Sequence, residues 1–247
     1  MIIRHSRDSE WLSNSWLVAD KPGGHAVLID TGGPREPLLD ALEEFSLTPT
    51  HILNTHHHHD HVTFNGAWAE QFACPVCGHA AEQDLIPGLS QTLADGDEIK
   101  SGDLVIRALH IPGHTAGQLA FLVNEQAVFT GDTLFRGSVG GTRAPGHTTF
   151  EQLQHSVMER IMQLPPQTEI YPGHMESSTV AREWEENPFL RCWRGLDNAP
   201  PKACLAFGKP AKLLLRAQDY DGGSKCWVRF EDGQEDLVPG SRVQDLD

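Results

Sequence analysis

Six consecutive residues, His56-His57-His58-His59-Asp60-His61, set five imidazoles and a carboxylate directly behind a short apolar run, Ile52-Leu53. In extended backbone, alternate side chains share a face. His56 and His58 therefore point one way and His57 and His59 the other. Asp60 and His61, on the turn that follows, can swing into the pocket that His56 and His58 face. Three imidazoles and a carboxylate suit a borderline-soft divalent ion such as zinc. The internal position and the embedded Asp60 argue against an affinity tag or a plain polar tract.

The same design recurs three more times. Leu104–Ile111 runs into Pro112-Gly113-His114, Ala127-Val128-Phe129 into Thr130-Gly131-Asp132, and Glu169-Ile170-Tyr171 into Pro172-Gly173-His174. Each apolar stretch of β character ends in a turn carrying His or Asp, as when strand ends deliver polar groups to one edge of a sheet. His56, His58, Asp60, His61, His114, Asp132 and His174 are too many donors for one tetrahedral ion. They divide over two divalent ions sharing one carboxylate, a hydrolytic arrangement with metals about 3.5–4 Å apart. Two such ions, less Asp60, Asp132 and a bridging hydroxide, leave a slightly positive site in an acidic chain, able to hold an anionic or polarised carbonyl substrate.

The elements that must carry these groups are legible nearby. Residues 11–33 read as strand, turn, strand, with Lys21-Pro22-Gly23-Gly24 as the turn, and residues 35–46 have helical spacing. Helical spacing returns from Phe150 to Leu164 and stops at Pro165-Pro166, and a polar, acidic helix spans 177–186. The expected class is α/β over residues 1–195. Pro200-Pro201 and Gly208-Lys209-Pro210 suggest a linker at 196–210, and residues 211–247 read as a small β-meander with turns at Asp221-Gly222-Gly223 and Glu231-Asp232-Gly233. A piece of that size is marginal alone and should pack on the main domain or serve as a protein contact.

Composition narrows the classes. With 247 residues, 39% hydrophobic and 21% charged, the chain is globular and can bury a substantial core. Its net charge of −15 and lack of a basic stripe disfavour nucleic acid as partner. No apolar run approaches the length of a membrane span, and the start lacks the apolar stretch of a secretory signal. Five scattered cysteines do not make a disulfide framework. The expectation is a cytoplasmic protein whose Cys74-Pro75-Val76-Cys77 thiols are buried and structural.

The ordered motifs Thr55–His61, Pro112-Gly113-His114-Thr115, Thr130-Gly131-Asp132-Thr133 and Tyr171-Pro172-Gly173-His174, with Leu28-Ile29-Asp30-Thr31-Gly32 ahead of them, resemble the metallo-β-lactamase superfamily. Within it the glyoxalase II (hydroxyacylglutathione hydrolase) branch is most similar, and Asn187-Pro188-Phe189-Leu190-Arg191 also looks like that branch. The resemblance covers residues 1–195 and implies an αββα sandwich. It implies one ion on His56, His58 and His114, a second on Asp60, His61 and His174, and Asp132 bridging. It also implies that Asp30 is a structural carboxylate and that His57 and His59 are supporting residues. Two departures stand out. Only a short segment separates His174 from Asn187, so the branch's helical glutathione-binding part is missing. Gly140-Gly141-Thr142-Arg143 also replaces the Lys and Tyr that hold glutathione there, leaving Arg143 as the candidate anion contact. The β-rich tail resembles SH3- or Tudor-like barrels only loosely.

The resemblance implies hydrolysis of a small-molecule thioester. Two zinc ions (iron or manganese as substitutes) would supply hydroxide at neutral pH, with Asp60 and Asp132 as its catalytic carboxylates. The competing activities are persulfide dioxygenase, with one iron on His56, His114 and Asp132, and another hydrolase of the fold, such as a lactonase.

Overall fold

A computed structural model describes residues 1–197 and 199–246. The first sheet runs in the order β1 (Ile2–Arg7), β2 (Asn14–Ala19), β3 (His25–Ile29), β4 (Thr48–Leu53), β5 (Val76–His79) and β6 (Leu89–Leu93). It is antiparallel across β1–β3 and parallel from β3 to β6. The second sheet contains β7 (Glu98–Ser101), β8 (Leu104–His110), β9 (Leu119–Val123) and β10 (Ala127–Gly131). A two-stranded excursion, β11 (Leu134–Phe135) and β12 (Ser138–Val139), precedes its last two strands, β13 (Glu169–Pro172) and β14 (Ser178–Thr179). Its order is β14-β13-β10-β9-β8-β7.

The period of two along each strand produces the layers. From β2 and β3, Trp16, Val18, Val27 and Ile29 meet Ile106, Phe121 and Phe129 of the second sheet. Their neighbours Leu17, Ala26 and Leu28 face outward and pack under α1 (Glu36–Glu44), through Leu38 and Leu42, and under Trp68. Because both faces are covered, these strands read as continuous apolar runs rather than alternating ones. The outer face of the second sheet is covered by a helix starting at Phe150 and by the segment around Val180, Phe189 and Leu190. The result is the expected αββα sandwich.

Between the sheets' strands come α2 (His59–Val62), α3 (Asn65–Phe72) and α4 (Phe150–His155), then α5 (Val180–Glu186) and α6 (Pro188–Trp193). The helical spacing read over 150–164 is realised as α4 followed by a π-helical turn over Ser156–Ile161.

The last part of the chain is a five-stranded antiparallel sheet. Its strands are β15 (Lys202–Ala206), β16 (Lys209–Gln218), β17 (Ser224–Phe230), β18 (Glu235–Pro239) and β19 (Val243–Asp245), in the order β18-β17-β16-β15-β19. This corrects the linker expected at 196–210, because β15 lies inside it. The Gly208-Lys209-Pro210 signal marks a hairpin turn, with Phe207 and Gly208 both at positive φ (50° and 75°) as a two-residue primed turn demands. The sheet has a small core of its own around Cys204, Cys226, Val228 and Val238. Leu237 and Trp227 pack instead into the outer cluster of the main sandwich. All five cysteines are free and buried, as expected. Among the described residues no helix is long and apolar enough to cross a membrane.

Candidate metal centre

The four motif loops leave both sheets at one edge of the sandwich and meet there. His56 and His58 follow β4, Asp60 and His61 sit on α2, His114 follows β8, Asp132 follows β10 and His174 follows β13. Their donor atoms form two close sets. His56, His58, His114 and Asp132 make one, and Asp60, His61 and His174 the other, with the atoms of each set within 4.8 Å of one another. Asp132 lies between the sets. Its Oδ1 is 3.4 Å from Nε2 of His61, and its Oδ2 is 3.2 Å from Nε2 of His174 and 3.6 Å from Nε2 of His114. Asp60 Oδ2 stands 3.5 Å from Nε2 of both His61 and His174. All seven expected residues are thus brought together.

The far nitrogens of four of the five rings are fixed by the fold. His56 Nδ1 faces Thr55 Oγ1 at 3.0 Å, His58 Nε2 the Pro145 carbonyl at 2.9 Å, and His114 Nδ1 the Gly141 carbonyl at 2.9 Å. His61 Nδ1 faces Asp30 Oδ2 at 2.8 Å, and Asp30 also accepts from the backbone N–H and hydroxyl of Thr55. A ligand histidine held through its other nitrogen presents one orientation and one tautomer. Asp30 itself adopts φ of 55°, and its carboxylate is occupied by these loop contacts, as the motif implied.

The loops approach too closely for side chains at several points. A Cβ on Gly32 would overlap the Asp60 carbonyl, and one on Gly173 would overlap Asp132 Oδ1. The glycines of Asp30-Thr31-Gly32 and Pro172-Gly173-His174 therefore let the carriers of the second donor set pack against each other.

Charge and burial fit a cation. His61 Nε2 and Asp132 Oδ1 are buried and have no hydrogen-bond partner among the described residues, although they face each other. Burial holds His56 and His58 below the ordinary imidazole range and His114 down at about 3, so these rings are neutral and their lone pairs are free. Burial would do the same to His61, but the Asp132, Asp30 and Asp60 carboxylates outweigh it and push that imidazole well up. The protons this pocket attracts mark where a divalent ion would sit. Burial works against ionised Asp132, yet His174 and His61 keep its carboxyl well below the usual range. The donor set, imidazole nitrogen with carboxylate oxygen, is one for divalent transition metals.

His57 turns away, as the alternation predicted. Its Nδ1 bonds the buried Glu82 carboxylate, which also accepts from the backbone N–H of His57 (3.1 Å) and of Gly117 (2.8 Å). Glu82 thus fixes the backbone between His56 and His58, a role its sequence context did not signal. His59 is exposed beside Thr63. His51, His79, His110, His147 and His155 stand outside both donor sets. Arg143 lines the cleft beside the cluster, but its guanidinium is paired with Asp236 and lies over the rings of Phe207 and Phe230. Sequence reasoning also missed Tyr220 of the terminal sheet, whose ring stacks on His174 at 4.0 Å and 17°.

Comparison with known proteins agrees with this geometry. Residues 8–174 match the family model described as the metallo-beta-lactamase superfamily. A hydroxyacylglutathione hydrolase of Rhizobium etli is 38% identical over 169 residues, which is 67% of this chain and 63% of that relative. The chain thus spans less than two thirds of that enzyme's length. The crystal structure of ETHE1 from Myxococcus xanthus superposes with a TM-score of 0.68 at 33% identity, covering 76% of this chain and 84% of that one. The structure of TTHA1623 in a di-iron-bound form gives a TM-score of 0.63 at 34% identity, covering 75% of this chain and 99% of that one. With motifs, sandwich and donor cluster in agreement, the chain belongs to the metallo-beta-lactamase superfamily.

Proposed function

We propose that the protein is a dinuclear metal-dependent hydrolase of acyl thioesters. The observation that carries this reading is the position of Asp132, one carboxylate facing both donor sets. His56, His58 and His114 would hold one ion, Asp60, His61 and His174 the other, and Asp132 both. Divalent ions held there would supply Lewis acidity and lower the pKa of a coordinated water towards neutrality.

The chain's own groups do the rest. Asp60 and Asp132 accept hydrogen bonds from the attacking water and orient it. The six imidazole and carboxylate groups around Asp132 are fixed before substrate arrives, so little reorganisation accompanies reaction. Phe135 and Tyr220 pack around His174 and keep bulk water from that side. A thiolate leaves without help from a general acid, so the proposed donors suffice for the reaction. Similarity to a hydroxyacylglutathione hydrolase supports the thioester class, while the difference in length leaves the carrier open.

Zinc is the proposed ion and the cytoplasm the proposed compartment, with a small-molecule thioester rather than nucleic acid or membrane as partner. The test is elemental analysis of protein purified without chelator, followed by a panel of thioesters and lactones. About two ions per chain with thioester turnover is expected. A single iron, with oxygen consumed on addition of a persulfide, would overturn the reading in favour of the dioxygenase.

A further inference from the structure

The terminal sheet lies beyond the residues matched by the family model, yet it builds half of the cleft over the metal cluster. The cleft is about 430 Å³. One wall is His114, Asp132, Phe135 and the Gly141–Ala144 loop; the facing wall comes from β16–β18 and their turns. The two walls are joined by buried polar contacts. Thr142 N–H donates to the Leu237 carbonyl (3.1 Å), Leu237 N–H donates to Thr142 Oγ1 (2.9 Å), and Thr142 Oγ1 donates to Asp236 (2.8 Å). Ser138 Oγ donates to Asp219 at 3.1 Å. Such a joint is part of the fold and not a loose contact.

The lining is basic, although the chain is acidic. Arg143, Lys209, Lys225 and Arg242 line the cleft, and among the described residues the one acidic side chain lining it is Asp132 of the donor cluster. Two of the four are neutralised from behind, Arg143 by Asp236 and Lys225 by Asp219 at 3.0 Å. Lys209 and Arg242 are exposed and make no ion pair among the described residues. The rings of Phe207, Tyr220 and Phe230 and the side chain of Leu237 line the same cleft. The cleft over the cluster thus combines aromatic and apolar side chains with cationic ones.

Taking the thioesterase reading as its basis, the geometry points to a substrate whose thiol carrier is itself an anion. Its acyl carbonyl lies at the metal cluster, its carrier runs along the aromatic floor, and its carboxylate or phosphate end is held by Lys209 and Arg242. The terminal sheet is then the carrier-recognition element of this enzyme. It stands in for the missing helical segment and for the Lys and Tyr absent from the Gly140–Arg143 loop.

The experiment uses the full-length, zinc-reconstituted protein and its Lys209→Gln/Arg242→Gln variant. Both positions are exposed, so the variant should melt with the parent. Two readouts are taken. The first is kcat/KM on one acyl group carried by glutathione (carboxylates), coenzyme A (phosphates) or N-acetylcysteamine (neutral). The second is calorimetric binding of the non-hydrolysable S-alkyl thioethers of glutathione and coenzyme A. The preference for an anionic over the neutral carrier should drop about tenfold or more in the variant, through KM, with parallel loss of thioether binding. Whichever thioether binds identifies the anion as carboxylate or phosphate. An unchanged preference, or no thioether binding by the parent, overturns the inference. Cation-dependent thioether binding without hydrolysis of any thioester upholds the anion site and removes the thioesterase reading instead.

Discussion

Asp30 and His61, 31 residues apart in sequence, meet at 2.8 Å beneath the metal cluster, and the same carboxylate ties down Thr55 at the end of the neighbouring strand. One buried carboxylate thus aims a ring of the second donor set and fixes the loop carrying His56 and His58. Asp30→Ala should leave the fold intact by circular dichroism and weaken metal binding about 10–100-fold. Competition against a chelator measures it. Unaltered affinity would mean that His61 is oriented by packing alone.

Asp132→Ala removes a group facing both donor sets, so metal content should fall at both positions and hydrolysis nearly vanish. His174→Ala touches only the second set and should retain about one ion per chain. Gly173→Ala should resemble Asp132→Ala in weaker form, because the added methyl displaces Asp132 Oδ1. Elemental analysis of the three variants checks the order. Two tightly held ions in Asp132→Ala would reduce Asp132 to a loop-ordering residue.

Lys225 and Asp219 are both nearly inaccessible and form a buried pair at the terminal sheet's contact with the cleft. Lys225→Met leaves Asp219 charged and unpaired, which costs about 3–5 kcal/mol. Lys225→Met with Asp219→Asn should recover most of it, since Asn still accepts from Ser138. Urea denaturation of the single and double variants measures both. A single variant as stable as the parent would show the pair to be hydrated in solution.

Burial pushes the Cys77 thiol up to about 12 from 9.0. Below pH 9 both states keep this proton and the group adds no pH dependence. Between 9 and 12 the unfolded chain loses it while the folded chain retains it, so rising pH favours unfolding. The loss from this group is about 1.4 kcal/mol per pH unit. Cys77→Ala lacks this contribution. Its urea midpoint should therefore drop less between pH 8 and pH 10 than the parent's, and equal drops would place the thiol in contact with water.

The donor cluster is legible in the sequence because metal chemistry restricts residue types and strand ends restrict spacing. Residue type and position relative to the apolar runs are enough to pick out all seven donors from His56 to His174. Glu82 is not legible in this way. A single Glu in a short turn carries no pattern, and its function appears only where Gly117 and His57 close on it. The linker reading fails at β15 because a two-residue hairpin turn and a flexible connection use the same Gly and Pro vocabulary. Tyr220 and Lys225 are invisible for a different reason. Their roles depend on how one sheet docks on another, which neither periodicity nor local spacing encodes.

The docking of the terminal sheet also orders events in time during synthesis. All seven donors have left the ribosome once His174 has emerged, whereas Lys209, Tyr220, Lys225 and Arg242 follow. At about 5–20 residues per second the stretch from His174 to Arg242 takes roughly 3 to 14 s. A nascent chain in that interval carries all seven donor residues but lacks the far wall of the cleft, and β14, α5 and α6 that complete the sandwich are themselves still being made. The apolar surface that Trp227 and Leu237 will cover is also bare. The donor residues are thus translated before the far wall of the cleft, and the newborn protein is most exposed to self-association just before its last strands arrive.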